Sequence, residues 1–169
     1  MAVGRVAKAV VALCLLAVSG ACSTGPMSAL GFSRETIAEV PPPPLAEAPK
    51  MTFAIAPPTG VPGNLGDALI RKLHVYAAQE GLRFPTEPDM STNYVLKVHL
   101  TAVGSYSGGT VSYIADVYDA QGRRATRLAG SVPAGSTYAD PWSSASDGTM
   151  SALALQIAFG VRAWLFSGS

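Results

Sequence analysis

Few residues of this chain are of types that do chemistry, and their placement decides between roles. The thiol of Cys22 follows the three small residues Ser19-Gly20-Ala21. Asp116 and Asp119 flank the end of an alternating stretch. Such a pair could exchange protons as acid and base, but its position beside a tight turn fits turn capping better. His74 and His99 each fall on the polar side of their segment, which reads as a solvated imidazole and not a base or metal ligand. Arg123, Arg124 and Arg127 form a small basic cluster that could meet phosphates or lipid head groups, with a solvated strand face as the plainer reading. In Asp140-Pro141-Trp142 the indole carries a large apolar area, so packing against the core is expected. No GxSxG elbow, HExxH, CxxC or P-loop occurs. The residues therefore assign no catalytic group, no cofactor and no metal site, and a non-catalytic protein is expected.

What precedes the thiol gives it meaning. Arg5 and Lys8 make a short positive segment, and residues 9–18 make an apolar run too short to span a bilayer comfortably. That is the layout of an export signal. The run Ser19-Gly20-Ala21-Cys22 resembles the lipobox of bacterial lipoproteins, with Ser19 standing where that family usually has leucine. The resemblance implies that Cys22 is the acyl acceptor and the mature N-terminus, and that the protein is held at the membrane through its N-terminal lipid. Two other readings of the same residues stand beside it: an ordinary small-residue cleavage site releasing a soluble protein, and an uncleaved signal anchor. Cysteine usage favours lipidation. The chain has two cysteines, and Cys14 lies within the segment to be removed, so the mature chain has no partner thiol for an internal disulfide. A lone thiol in an oxidising compartment is a liability unless it is consumed. The resemblance further implies several acyl chains, hence a lasting anchor, since each buried methylene contributes ~0.8 kcal/mol. Ser23, where some inner-membrane lipoproteins have aspartate, leans towards the outer membrane.

Removing residues 1–21 leaves 148, enough for one domain. The mature chain carries ten basic and eleven acidic groups, a net charge of −1, which excludes the concentrated basic surface of a nucleic-acid-binding protein. With 49% hydrophobic and 14% charged residues, the chain can bury a core. Residues 22–50, with Pro41-Pro42-Pro43-Pro44, read as the lipidated cysteine and a flexible tether, although Leu30, Phe32 and Ile37 could pack onto the domain. Residues 51–169 read as a single α+β domain.

Within that domain, residues 51–55 alternate as a strand stopped by Pro57-Pro58. Asn64 has the look of an N-cap, with Asp67 reaching back to it. Leu65, Leu69, Leu73 and Tyr76 recur at helical spacing up to a stop at Gly81. A weak strand is expected at residues 82–84. Tyr94, Leu96, Val98 and Leu100, then Val111, Tyr113, Ala115 and Val117, alternate with polar residues. A further strand runs from Arg124 to Val132 after the Asp119-Ala120-Gln121-Gly122 reversal, completing an antiparallel meander. A cap at Ser146 or Asp147 opens a final helix from about Thr149 to Phe166. The expectation is an α+β fold: an antiparallel-rich sheet of four to five strands, with two helices packed on one face in the order strand, helix, strands, helix.

The last helix is apolar nearly all round. Met150, Leu153, Ala154, Ile157, Val161, Trp164 and Leu165 form one stripe, and Leu155, Phe159 and Phe166 gather behind it with only Arg162 between them. Packing against the first helix would cover this second face; otherwise Leu155, Phe159, Arg162 and Phe166 form a partner surface.

Two broader resemblances follow. Residues 94–132, from Tyr94-Val95-Leu96 through the Asp119-Ala120-Gln121-Gly122 turn, resemble the sheet of the lipoprotein group that contains curli-secretion lipoproteins and penicillin-binding-protein activators. That resemblance implies binding to other proteins. Tyr113-Ile114-Ala115-Asp116-Val117, Gly130, Asp140-Pro141-Trp142, Met150 and Trp164-Leu165 are similar to small lipoproteins of alphaproteobacteria, which implies no activity. The expected function is a lipid-anchored, periplasm-facing binding or assembly accessory with an envelope protein as partner and no nucleic acid. The alternatives are a hydrolase with a non-standard site and an oligomerising structural subunit.

Overall fold

The computed structural model describes residues 40–85, 92–137 and 140–168. The expected signal, Cys22, Leu30, Phe32, Ile37 and the expected tether up to residue 39 lie outside the described residues. A 3-10 turn at Ala48–Lys50 leads into β1 (Phe53–Ile55) and α1 (Gly63–Gln79). The meander follows as β2 (Tyr94–Ser105), β3 (Gly108–Asp119) and β4 (Arg124–Ala134), and a 3-10 turn at Pro141–Ser144 precedes α2 (Asp147–Leu165). Among the described residues the fold is α+β: one four-stranded sheet in the order β1-β2-β3-β4, mostly antiparallel, and two α-helices.

Alternation along β2 and β3 fixes the register of their pairing, because a one-residue slip would turn every core side chain outward; a bulge at Ala125 interrupts it in β4. Leu96 lies opposite Val117, which lies opposite Thr126; one step along, Val98, Ala115 and Leu128 share a row. Leu96, Val98, Val111, Ala115 and Val117 are buried, and so are Leu69, Leu73 and Ala77 of α1 and Met150, Leu153, Ile157 and Val161 of α2. The inward phase of the strands and the apolar stripes of the helices thus form one core. The outward phase (Lys97, His99, Thr101, Ser112 and Arg127 among them) faces solvent.

β1 pairs with β2 in parallel, Phe53 opposite Tyr94. Parallel neighbours need a long crossover, and α1 supplies it. The segment at residues 82–84 does not become a fifth strand. It makes one bridge, Thr52 to Arg83, and Phe84 instead stacks on Phe53 with ring centroids 5.1 Å apart.

Helix ends differ from expectation at one of four places. α1 begins at Gly63 with Pro62 as its cap residue and no side-chain cap, so Asn64 lies inside the first turn and makes no capping box with Asp67. The Pro62 carbonyl accepts from the N–H groups of Leu65 and Gly66. At the other end Gly81 takes φ +73°, and Leu82 N donates to Ala77 O while Gly81 N donates to Ala78 O. This paired closure needs a left-handed residue, which glycine provides, and it buries Leu82. In α2, Ser146 caps: Thr149 N donates to Ser146 Oγ at 3.1 Å and Ser146 N to Thr149 Oγ1 at 3.2 Å. C-terminally, α2 closes at Phe166, whose N–H donates to Arg162 O.

Packing onto the core extends upstream of Met51. Ala48 is only 1% exposed, and Val40 packs on the core and donates its N–H to Arg124 O at the start of β4. Residues 40–50 thus belong to the domain. The proline run conceals this because prolines set the backbone path but do not show whether the flanking apolar residues find a surface.

Candidate functional site

The candidate surface is built on α2. Its inward stripe (Met150, Leu153, Ala154, Ile157, Ala158, Val161 and Leu165) is fully buried against the sheet and α1. Burying one stripe of a helix that is apolar all round leaves the opposite side in water. Leu155 is 45% exposed, Phe159 60% and Phe166 38%. The Arg162 guanidinium lies 5.7 Å from the Phe166 ring centroid, a cation–π arrangement, and 3.6 Å from Glu80 Oε2 at the end of α1. At the other end of the helix pair Lys72 bonds Asp147 at 2.7 Å. α1 packs against α2, yet Leu155 and Phe159 stay exposed. Single exposed apolar residues need no explanation. Three on one helix face, two of them aromatic and beside an arginine, have the composition of an interface.

The remaining sequence candidates do not converge. Asp116 and Asp119 belong to opposite phases of β3. Asp116 sits on the outward face, bound by both nitrogens of the Arg127 fork at 2.7 and 2.8 Å, with Arg124 Nε 4.0 Å away. Asp119 staples the reversal: it accepts from Gln121 N, Arg123 N and Arg123 Nε at 2.8 to 3.0 Å. The basic cluster is divided in the same way, Arg123 going to the turn and Arg124 and Arg127 to Asp116. His74 meets the Phe84 ring edge-on at 6.4 Å. Trp142 packs on the core, and its backbone N–H donates to Asp140 Oδ1 at 3.0 Å.

Burial pushes the Asp119 carboxyl up, but two backbone N–H donors and the Arg123 guanidinium outweigh it and hold it below the usual carboxylate range. A lowered folded value stabilises the fold above the unfolded carboxylate's range near pH 4, and the stabilisation is lost as pH falls through the lowered value. Asp119→Asn should therefore flatten the acid side of a melting-temperature profile between about pH 5 and pH 2. Parallel acid limbs for mutant and wild type would contradict this role.

One feature was not legible in the sequence. Residues 56–59 run on beside β2, with Thr59 N donating to Val98 O and Leu100 N to Thr59 O. This strap and the outward face enclose a shallow cleft of about 260 Å³, lined by Pro57, Thr59, Lys97, His99, Ile114, Asp116 and Tyr118. Lys97 Nζ stands 4.8 Å from the Tyr118 ring centroid, and His99 Nδ1 is 3.0 Å from Thr59 Oγ1. The Asp116 carboxylate at its edge is engaged at both oxygens by the Arg127 fork. Among the described residues no group of His, Cys, Asp and Glu could hold a metal ion, and no helix is long and apolar enough to cross a membrane.

No family model and no curated protein matches this chain. Among solved structures it is similar to a Xanthomonas campestris protein of family DUF330, at 13% identity and a TM-score of 0.48 over 74% of this chain and 91% of that one. It is also similar to the PelC dodecamer of Paraburkholderia phytofirmans in two structures, at 13% and 12% identity with TM-scores of 0.42 and 0.43. That match covers 70% of this chain and at least 92% of PelC. A lipoprotein of Neisseria meningitidis matches at 17% identity and a TM-score of 0.41, over 63% and 96%. Each likeness is loose, and none assigns a role to this chain.

Proposed function

We propose that this protein is a lipid-anchored envelope protein, held through Cys22 and facing the periplasm, that acts as a non-catalytic binding or assembly accessory. The absence of aspartate after Cys22 favours the outer membrane. The observation that carries the binding role is the exposed face of Leu155, Phe159, Arg162 and Phe166 on an otherwise buried helix. The export signal and Cys22 support the address. Phe159→Asp tests the role. It adds a charge at a site that is already 60% exposed, so the domain should melt within a few degrees of wild type. An affinity-tagged chain with its native anchor should bring down its envelope partner from solubilised membranes, and the variant should lose it. An unchanged set of co-purifying proteins would refute the role of this face.

The cleft beside His99 favours a second reading, a hydrolase with a non-standard site. The Arg127 fork on Asp116 weighs against it. Hydrolysis of a generic ester by the purified chain that disappears in His99→Ala would revive it.

A further inference from the structure

Resting on the reading of the α2 face as a partner surface, we infer that its occupant is a second copy of this chain, docked with α2 antiparallel to α2 about a two-fold axis. Leu155, Phe159, Arg162 and Phe166 follow one another at intervals of four, three and four, the same read from either end. At 100° per residue they fall within about 60° of one another on the helix. In an antiparallel pair, opposed positions have a constant sum. The register that sets Leu155 against the partner's Phe166 also sets Phe159 against the partner's Arg162, and the axis repeats both contacts.

Charge selects this arrangement over the parallel one. In a parallel pair Arg162 faces the partner's Arg162. In the antiparallel pair each guanidinium lies over a Phe159 ring, where a cation is attracted, and the helix dipoles oppose. Glu80, 3.6 Å from Arg162, leaves the face without net charge to repel a copy. The exposed parts of the three apolar side chains amount to roughly 300 Å² per copy, from the size of aromatic side chains. Stable interfaces bury about 800 Å² per partner. The pair is therefore weak in dilute solution and forms where a shared membrane raises the effective concentration.

The experiment uses the full chain on its membrane. Under this reading Cys14 is removed with the signal and the Cys22 thiol is consumed by lipid, so the unmodified chain sets the cross-linking baseline. Two differently tagged copies, one Leu155→Cys and one Phe166→Cys, are co-expressed and mildly oxidised. The two-fold pairing predicts a mixed disulfide at least ten times more abundant than either self-linked product, and its loss when Phe159→Asp is added to both. Self-linked Leu155→Cys as the main product, or no product above baseline, would overturn the second copy as occupant. If Phe159→Asp nonetheless releases a different envelope protein, the α2 face remains a partner surface. If it releases nothing, both readings fall.

Discussion

Phe53→Ala should cost the domain about 3–5 kcal/mol, whereas Phe159→Ala should leave stability within about 1 kcal/mol of wild type. The chemical change is the same, and the surroundings decide the difference. Phe53 is 0% exposed and stacks between Phe84 at 5.1 Å and Tyr94 at 5.2 Å, and Tyr94 in turn meets Trp164 edge-on at 5.3 Å. This chain of rings joins β1, the segment after α1, β2 and the end of α2. Removing its central member takes away a large buried apolar area and leaves a cavity whose rigid aromatic walls cannot easily close. Denaturant melts of both variants measure the contrast. A Phe53→Ala midpoint close to wild type, or a Phe159→Ala loss of several kcal/mol, would contradict the assignment of one ring to the core and the other to the surface.

Gly60→Val should destabilise by about 3 kcal/mol or more, although residue 60 is exposed. Gly60 holds φ +74°, a conformation costly for a β-branched residue. A Cβ there would also collide with Leu100 O and come within 2.7 Å of His99 Cε1. The backbone must stay where it is to keep the Thr59 pairing with Val98 and Leu100. The strain should thus appear locally as faster hydrogen exchange at Thr59 and Leu100, together with a lowered melting temperature. Wild-type protection at those amides in a Gly60→Val protein would show that the strap does not depend on this residue.

The meander was legible because alternation over long strands fixes which face is buried, and Asp119-Ala120-Gln121-Gly122 marks the reversal. Parallel pairing of β1 was not legible. A three-residue strand gives no sign of its neighbour's direction, which follows from the path of α1. Asn64 does not cap α1 because the backbone already turns into the helix at Pro62, which no side-chain pattern reveals. The two faces of α2 could be separated by helical periodicity alone; which of them water reaches depends on how α1 and the sheet share the inward stripe. The strap and its cleft rest on Thr59 meeting His99, forty residues apart, and no local pattern announces such a contact.

Membrane fractionation of wild type and Cys22→Ala, with labelled palmitate in the medium, tests the account most directly. A hydrophobic anchor resists salt washing, because screening acts on charges and not on buried acyl chains. Wild type should stay in the membrane pellet through high salt and carry the label. Cys22→Ala should be unlabelled, and should appear in the soluble periplasm or persist as an uncleaved precursor. Equal labelling of Cys22→Ala, or release of wild type by salt alone, would contradict the anchored, envelope-facing role proposed for this protein.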